Sequence, residues 1–183
     1  MNRRTWIKGG VAMLALPTAS WAQSAFPDRA IRLVVPFAPG GDGDVMGRIW
    51  AKYAVALGGQ NLFVDNKAGA GGVIGAAEVA RAKPDGYTLL LGTSTTQIIN
   101  PLASTAAPYD PLKDFVLVGM VSVNPTCIVV HPSLGVQSLA ELTAYVKGKA
   151  LSYGSAGQGT ITNLTGELYK HLAGKLNIQH VPY

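Results

Sequence analysis

The chain has 183 residues, 48% hydrophobic and 14% charged, a balance that excludes a disordered chain and suits one domain or two small lobes. Its formal net charge of +5 is not a nucleic-acid signal. Arg3, Arg4 and Lys8 lie among the first ten residues, residues 1–22 hold no acid, and the remainder carries 12 basic against 10 acidic residues, with no basic run and no aromatic series for base stacking.

The N-terminus explains the asymmetry. Arg3-Arg4-Thr5-Trp6-Ile7-Lys8 has the twin-arginine pattern, an uncharged stretch runs from Gly9 to Ala19, and Ser20-Trp21-Ala22 offers the small residues a signal peptidase needs. The apolar stretch is shorter than the about 20 residues a membrane-spanning helix requires. Residues 1–22 are therefore expected to be a removed export signal, of the twin-arginine type or a Sec signal carrying two arginines. The single cysteine, Cys127, cannot form an intramolecular disulfide. Lying in Thr126-Cys127-Ile128-Val129-Val130, it is expected to be a small buried hydrophobe.

Short apolar runs then alternate with helical patterns, the mark of an α/β fold with a largely parallel sheet. Ile31–Val35 reads as a strand ended by Pro36. Val45, Ile49, Tyr53 and Leu57 recur every fourth residue and predict a helix stopped by Gly58-Gly59. Leu62–Val64 is a second strand and Val73–Ala82 a second helix. Pro84-Asp85-Gly86 turns into a third strand, Tyr87–Leu91. Val116–Val123 and Thr126–Val130 read as two more strands meeting at Asn124-Pro125. Ser138 and Glu141 form a capping box for a helix to about Lys147. A short strand near Leu151–Tyr153, a helix with Leu164, Leu168 and Leu172 on one face, and a strand from Ile178 complete the pattern. Asn124-Pro125 is the expected lobe boundary, giving residues 23–124 and 125–183 as two lobes.

Three glycine- or hydroxyl-rich loops follow strands, where open α/β sheets place their ligands. In Pro36–Asp44, Pro39, Gly40 and Gly41 expose backbone amides before a helix whose positive end suits an anion. Asp42 and Asp44 fit there as helix-capping carboxylates, and the loop can equally be a tight turn with its cap. Gly92–Gln97 carries four consecutive hydroxyl residues, suited to a carboxylate or to helix capping. Ser155–Thr162 repeats the scheme of strand, glycines, hydroxyls and helix N-terminus. Together the three point to a shared anion pocket. Gly69–Gly75 has the wrong spacing for a dinucleotide fingerprint, since Ile74 occupies the third glycine's place. His131, His171 and His180 lack metal-ligand spacing and read as surface or capping residues. No nucleophile–base–orienter set is visible, and a hydrolase reading of the Ser155–Thr160 loop finds no base nearby in sequence.

The run Ile31–Gly41 with Asp44, then Val64-Asp65-Asn66-Lys67-Ala68-Gly69-Ala70-Gly71-Gly72, Pro84–Leu90, Asn100-Pro101, Tyr109-Asp110-Pro111, Lys113-Asp114-Phe115, Ser152–Thr160, Gly166-Glu167-Leu168 and His180–Tyr183 resembles the Bug family. These are the solute-binding proteins of tripartite tricarboxylate transporters. The resemblance covers essentially all of residues 23–183 in the family's order. It implies a two-lobed, periplasmic-binding-protein-like fold of type II that closes over a small carboxylate. Pro39, Gly40, Gly41 and Asp44 would answer from one lobe, with Thr95 and Thr96 in a hydroxyl-bearing stretch, and Ser155, Gly157, Gly159 and Thr160 from the other. It implies no catalytic residue, cofactor or metal, and a periplasmic monomer that hands its ligand to membrane transporter subunits or informs a sensor kinase. Asp42 stands where the family more often has glycine or a small polar residue. The family's chains continue past the equivalent of Tyr183 to complete the second lobe and cross back to the first. The fold is therefore expected to be incomplete at the C-terminus, to leave apolar sheet surface uncovered, and to be weakly stable and weakly binding.

Overall fold

The computed structural model describes residues 26–56, 59–103 and 107–183; the expected export signal, residues 1–22, lies outside them. The first unit is a parallel three-stranded sheet in the order β2-β1-β3, with β1 Ile31–Val35, β2 Leu62–Asn66 and β3 Thr88–Leu90. In register, Leu33 stands beside Val64 on one side and Leu89 on the other. The central strand is covered on both faces, as parallel sheets require. Leu33, Val34 and Val35 are all but inaccessible, each contributing about 1.5–3 kcal/mol of burial.

Alternation sends Leu33 and Val35 to one face and Arg32 and Val34 to the other. Helix α1, Asp42–Ala56, packs on the first face through Gly47, where an added Cβ would stand 3.2–3.3 Å from Val35, Leu33 and Val64 side chains. Helix α2, Val73–Ala80, covers the second, packing Ala76 and Ala77 with Tyr109, Leu90 and Phe115. Arg32 reaches from the central strand to Asp65 of β2, its Nε donating over 2.8 Å, and to Glu78 of α2. The short helix α3, Asn100–Ala103, follows a π-helical turn at Thr95–Ile99, which the sequence pattern did not suggest because β-branched residues disfavour helix.

The second unit is smaller. Parallel strands β4, Leu151–Ser155, and β5, Ile178–Pro182, are joined by helix α5, Ile161–Leu172. Leu176 and Ile178 form the core with Leu142 and Val146 of helix α4, Leu139–Val146. The capping box is present with a shift of one residue: Ser138 Oγ accepts from the Glu141 amide, and Glu141 accepts from the amide of Gln137.

The expected strands Val116–Val123 and Thr126–Val130 are not formed. Among the described residues no ladder takes up these segments, and a strand exists only by its partner's hydrogen bonds. Val116 and Leu117 are each 90% exposed. Cys127, expected to be buried within that run, is exposed for the same reason. The apolar stripes Val45–Ile49–Tyr53 of α1 and Leu164–Leu168–Leu172 of α5 also face outward. Leu168 and Leu172 line an apolar groove of about 790 Å³ with Ile128, Val130, Leu139 and Leu142. None of the three candidate loops contributes to it.

Candidate functional site

In the order β2-β1-β3, the connection from β1 runs to one side of it and the connection from β2 crosses to the other, so the crevice of an open α/β sheet opens at the carboxyl ends of β1 and β3. The segments issuing there are Pro36–Gly41 and Gly92–Ser94. The corresponding end of β4 issues the Ser155–Thr160 loop.

These three loops meet around Gly71 and Gly72, at the start of α2. An added Cβ at Gly72 would stand 2.7 Å from Thr96 Cγ2, 3.4 Å from Phe37 Cζ and 3.4 Å from Pro36 Cβ. At Gly71 it would stand 3.6 Å from the Gln158 carbonyl oxygen and 3.9 Å from Thr160 Cγ2. Both glycines are left-handed, with φ of +61° and +90°, a conformation glycine adopts without steric cost. The Asn100 amide donates to the Gly71 carbonyl over 3.0 Å and holds the turn. A direct bond joins the two units: the Ile161 amide, at the start of α5, donates to Thr95 Oγ1 over 3.1 Å.

Pro39, Gly40 and Gly41 lie exposed on the first loop, and Asp44 is buried beneath them. Asp44 Oδ2 accepts from the Gly40 amide over 2.9 Å and from Arg48 Nε over 3.0 Å. These contacts, Arg48 first, lower its pKa to about 2, with a weaker contribution from the nearby Asn66 amide, whose own close partner is the Phe37 carbonyl. Asp44 is thus ionised at neutral pH and braces the loop. Its Oδ1 is buried and receives no hydrogen bond among the described residues, an acceptor that an ordered water or a ligand hydroxyl would satisfy. Asp42 turns away and accepts from the Asn124 amide over 2.8 Å, so the junction at Asn124-Pro125 is tied to the first loop.

Thr95 and Thr96 are buried in the π-helical turn. Thr96 Oγ1 accepts from the Thr93 amide over 3.0 Å, and Tyr109 OH donates to the Thr96 carbonyl over 2.6 Å. Thr160 is buried as the cap of α5, its Oγ1 donating to the Gly157 carbonyl over 2.7 Å and accepting from the Asn163 amide. The Gly159 amide donates to Asn163 Oδ1 over 3.0 Å. Ser155, Gly157 and Gly159 are half-buried. Several hydroxyls that the sequence offers to a ligand therefore also brace their own loops.

Five participants escaped the sequence reading. Gly71 and Gly72 stand in the sequence within a failed dinucleotide pattern and a family-like run, neither of which marks them as the point where loops meet. Asn163 and Arg48 stand inside helices, where composition says nothing of direction. His180, read as a surface or capping residue, stands with Nε2 at 2.6 Å from Ser155 Oγ. The parallel register, which sets Tyr153 beside His180, brings this histidine to Ser155 across a separation that sequence proximity does not reveal. Glu167, the carboxylate of this corner, hydrogen-bonds instead with Tyr153 OH and Lys170 Nζ. Among the described residues no group of three or more His, Cys, Asp or Glu side chains could hold a metal ion.

Residues 47–183 match the family model described as tripartite tricarboxylate transporter family receptor. BugT of Bordetella pertussis is 37% identical over 175 residues, which make up 94% of this chain and 52% of BugT. A Rhodopseudomonas palustris protein solved with adipate superposes with a TM-score of 0.80 at 36% identity, over 86% of this chain and 53% of that one. MatC of the same organism, solved with bound malate, gives 0.73 at 32%, over 86% and 54%. The chain therefore spans about half the length of the relatives it matches. Its fold is that of the periplasmic binding proteins, α/β and two-lobed, and its relatives are solute-binding proteins. On the family match and these relatives, the chain belongs to the tripartite tricarboxylate transporter family of receptors.

Proposed function

We propose that the chain carries the first set of ligand loops of an extracytoplasmic solute-binding protein that captures a small organic dicarboxylate for a tripartite transporter. The observation that carries this reading is the convergence of three loops, each at the carboxyl end of a parallel strand, on the single turn at Gly71-Gly72. Such a site offers backbone amides, hydroxyls and the N-terminal ends of α1 and α5, a set of neutral donors that complements carboxylate oxygens. The adipate and malate held by relatives of the same fold support that substrate class. Residues 1–22 support export to the periplasm, and the family match supports delivery to membrane transporter subunits.

The proposed ligand contacts are the Gly41 amide, the Ser155 hydroxyl and the buried Asp44 Oδ1 acting through a water or a ligand hydroxyl; Gly40, Gly157 and Gly159, whose amides are held by Asp44, Ser155 and Asn163, line the pocket as backbone that those bonds fix. Pro39 shapes the first loop. Thr95, Thr96 and Thr160 order the other two while contributing to the pocket wall.

Amide-resolved NMR titration of the isotopically labelled chain with adipate and with malate tests this. The expected result is saturable movement of the Gly40, Gly41, Gly157 and Gly159 amides, while Gly135 and Gly148, outside the loops, stay still. Dissociation constants down to the millimolar level, about 4 kcal/mol of binding, are resolved by this method. No loop movement with either acid, or movement spread evenly over all glycines, would refute the reading.

A further inference from the structure

The Ser155 hydroxyl has three polar neighbours. The Gly157 amide points to it over 3.3 Å, the Gly157 carbonyl stands 3.1 Å away, and His180 Nε2 stands 2.6 Å away. A hydroxyl has one hydrogen to give and two lone pairs to receive. The Gly157 carbonyl can only accept and the Gly157 amide can only donate, so His180 decides where the hydrogen goes. If Nε2 is bare, it captures the serine hydrogen and leaves Ser155 with lone pairs alone facing the loop. If Nε2 carries a hydrogen, as it does in one neutral tautomer and always in the imidazolium, it donates to Oγ, and the serine hydrogen is free to leave the Gly157 carbonyl for an arriving anion.

We propose that His180 is a positioning residue for ligand capture: by donating from Nε2 it turns the Ser155 hydroxyl into a donor, and protonation of His180, which removes the tautomer with a bare Nε2, favours carboxylate binding. This deepens the carboxylate reading and rests on it. Side chains of β4 and α5 surround the imidazole. From β4 the Tyr153 ring lies 5.0 Å from the imidazole, centroid to centroid. Burial, with the bond to Glu167, pushes the Tyr153 hydroxyl up to about 12. From α5, Glu167 is held below the usual carboxylate range by Tyr153 and then Lys170, with His180 among the minor causes, and Lys170 Nζ stands 2.9 Å from Glu167. Tyr153 therefore stays neutral, and Glu167 stays ionised, over the range in which imidazoles titrate, about pH 5 to 8. By linkage, a carboxylate that prefers the protonated form of His180 also raises the proton affinity of that histidine.

The test uses the full chain with adipate and malate as probes, reading dissociation constants from the loop glycine amides. In the wild type, affinity should rise as pH falls through the imidazole range. His180→Phe keeps a ring against Tyr153 but removes the donor, and should weaken binding about ten-fold at pH 6. His180→Gln keeps an N–H donor without the titration, and should hold affinity within about three-fold of the wild type with a flat pH profile. In a Ser155→Ala background, His180→Phe should add no further loss. Equal affinity and an unchanged pH profile in His180→Phe would overturn the positioning role while leaving the carboxylate reading intact. Absence of binding by the wild type at every pH would overturn both. The wild-type and His180→Gln pH profiles decide the matter even if His180→Phe does not fold.

Discussion

Replacing Gly72 with alanine adds one methyl group where the three loops meet. Two costs are legible from the geometry. The residue sits at φ +90° and ψ −1°, a left-handed conformation that costs a side-chain-bearing residue about 1–2 kcal/mol. The new methyl would also stand 2.7 Å from Cγ2 of Thr96, a fully buried side chain with no room to retreat, and overpacking of this kind costs about 1–3 kcal/mol. Together Gly72→Ala should lose about 2–5 kcal/mol, a fall in melting temperature of about 4–20 °C for a chain of this size. Gly135→Ala separates the two effects, because Gly135 is also left-handed, at φ +66°, but has nothing within 4 Å of an added Cβ. It should lose only the conformational part. Thr96→Ser removes the opposing methyl and keeps the Oγ hydrogen bonds, so Gly72→Ala/Thr96→Ser should recover most of the packing loss. Urea unfolding followed by circular dichroism measures all four variants. If Gly72→Ala is no less stable than Gly135→Ala, or the double variant recovers nothing, the packing of the loops around Gly72 is not as described.

Asp44 gives a pH prediction. Its pKa is lowered in the fold from 3.8 to about 2, so the stability it contributes is present above about pH 4 and disappears as pH falls towards 2. The difference between wild type and Asp44→Asn should be constant from about pH 5 to 7 and shrink below pH 4; a difference persisting unchanged at pH 2 would contradict the ion pair with Arg48. The exposed run at Leu117, Val118 and Met120 should bind a hydrophobic dye, since monomers rarely leave contiguous apolar surface of more than about 300–600 Å² uncovered. Lysine at all three positions should reduce dye fluorescence about two-fold or more without lowering the melting temperature, and unchanged fluorescence would show that the segment is covered in solution.

The sequence reading and the structure agree best where the information is local. Apolar runs, the Pro84-Asp85-Gly86 turn and the Ser138 cap place β1 to β3 and the start of α4 within a few residues. The α1 pattern from Val45 identifies a helix that begins three residues earlier, at Asp42, because helix-capping residues carry no apolar period. Where the reading fails, the missing information is the partner. Leu164, Leu168 and Leu172 define a face by their period, but nothing in that period says what covers it, and in this chain the face is exposed. The β-branched residues of Val116–Val130 suit a strand, but strand formation depends on a neighbour elsewhere in the chain. The site divides in the same way. The loops were visible as glycine and hydroxyl clusters, whereas the approach of His180 to Ser155 spans 25 positions and depends on the parallel pairing of β4 and β5.

The bond from the Ile161 amide to Thr95 Oγ1 bears on how the site fills. With a net value of about 0.5–1.5 kcal/mol, it favours the arrangement in which the two lobes touch by about 2- to 12-fold over one in which both groups face water. An anion that entered by displacing this contact would see its apparent affinity reduced by the same factor, the fraction of molecules already open setting the toll. An anion that entered beside it, leaving Thr95 and Ile161 engaged, would meet a pocket whose rim was already assembled and would lose less entropy in ordering it. One neutral hydrogen bond thus sets how often an incoming anion would meet the two lobes apart, a matter of population as much as of contacts.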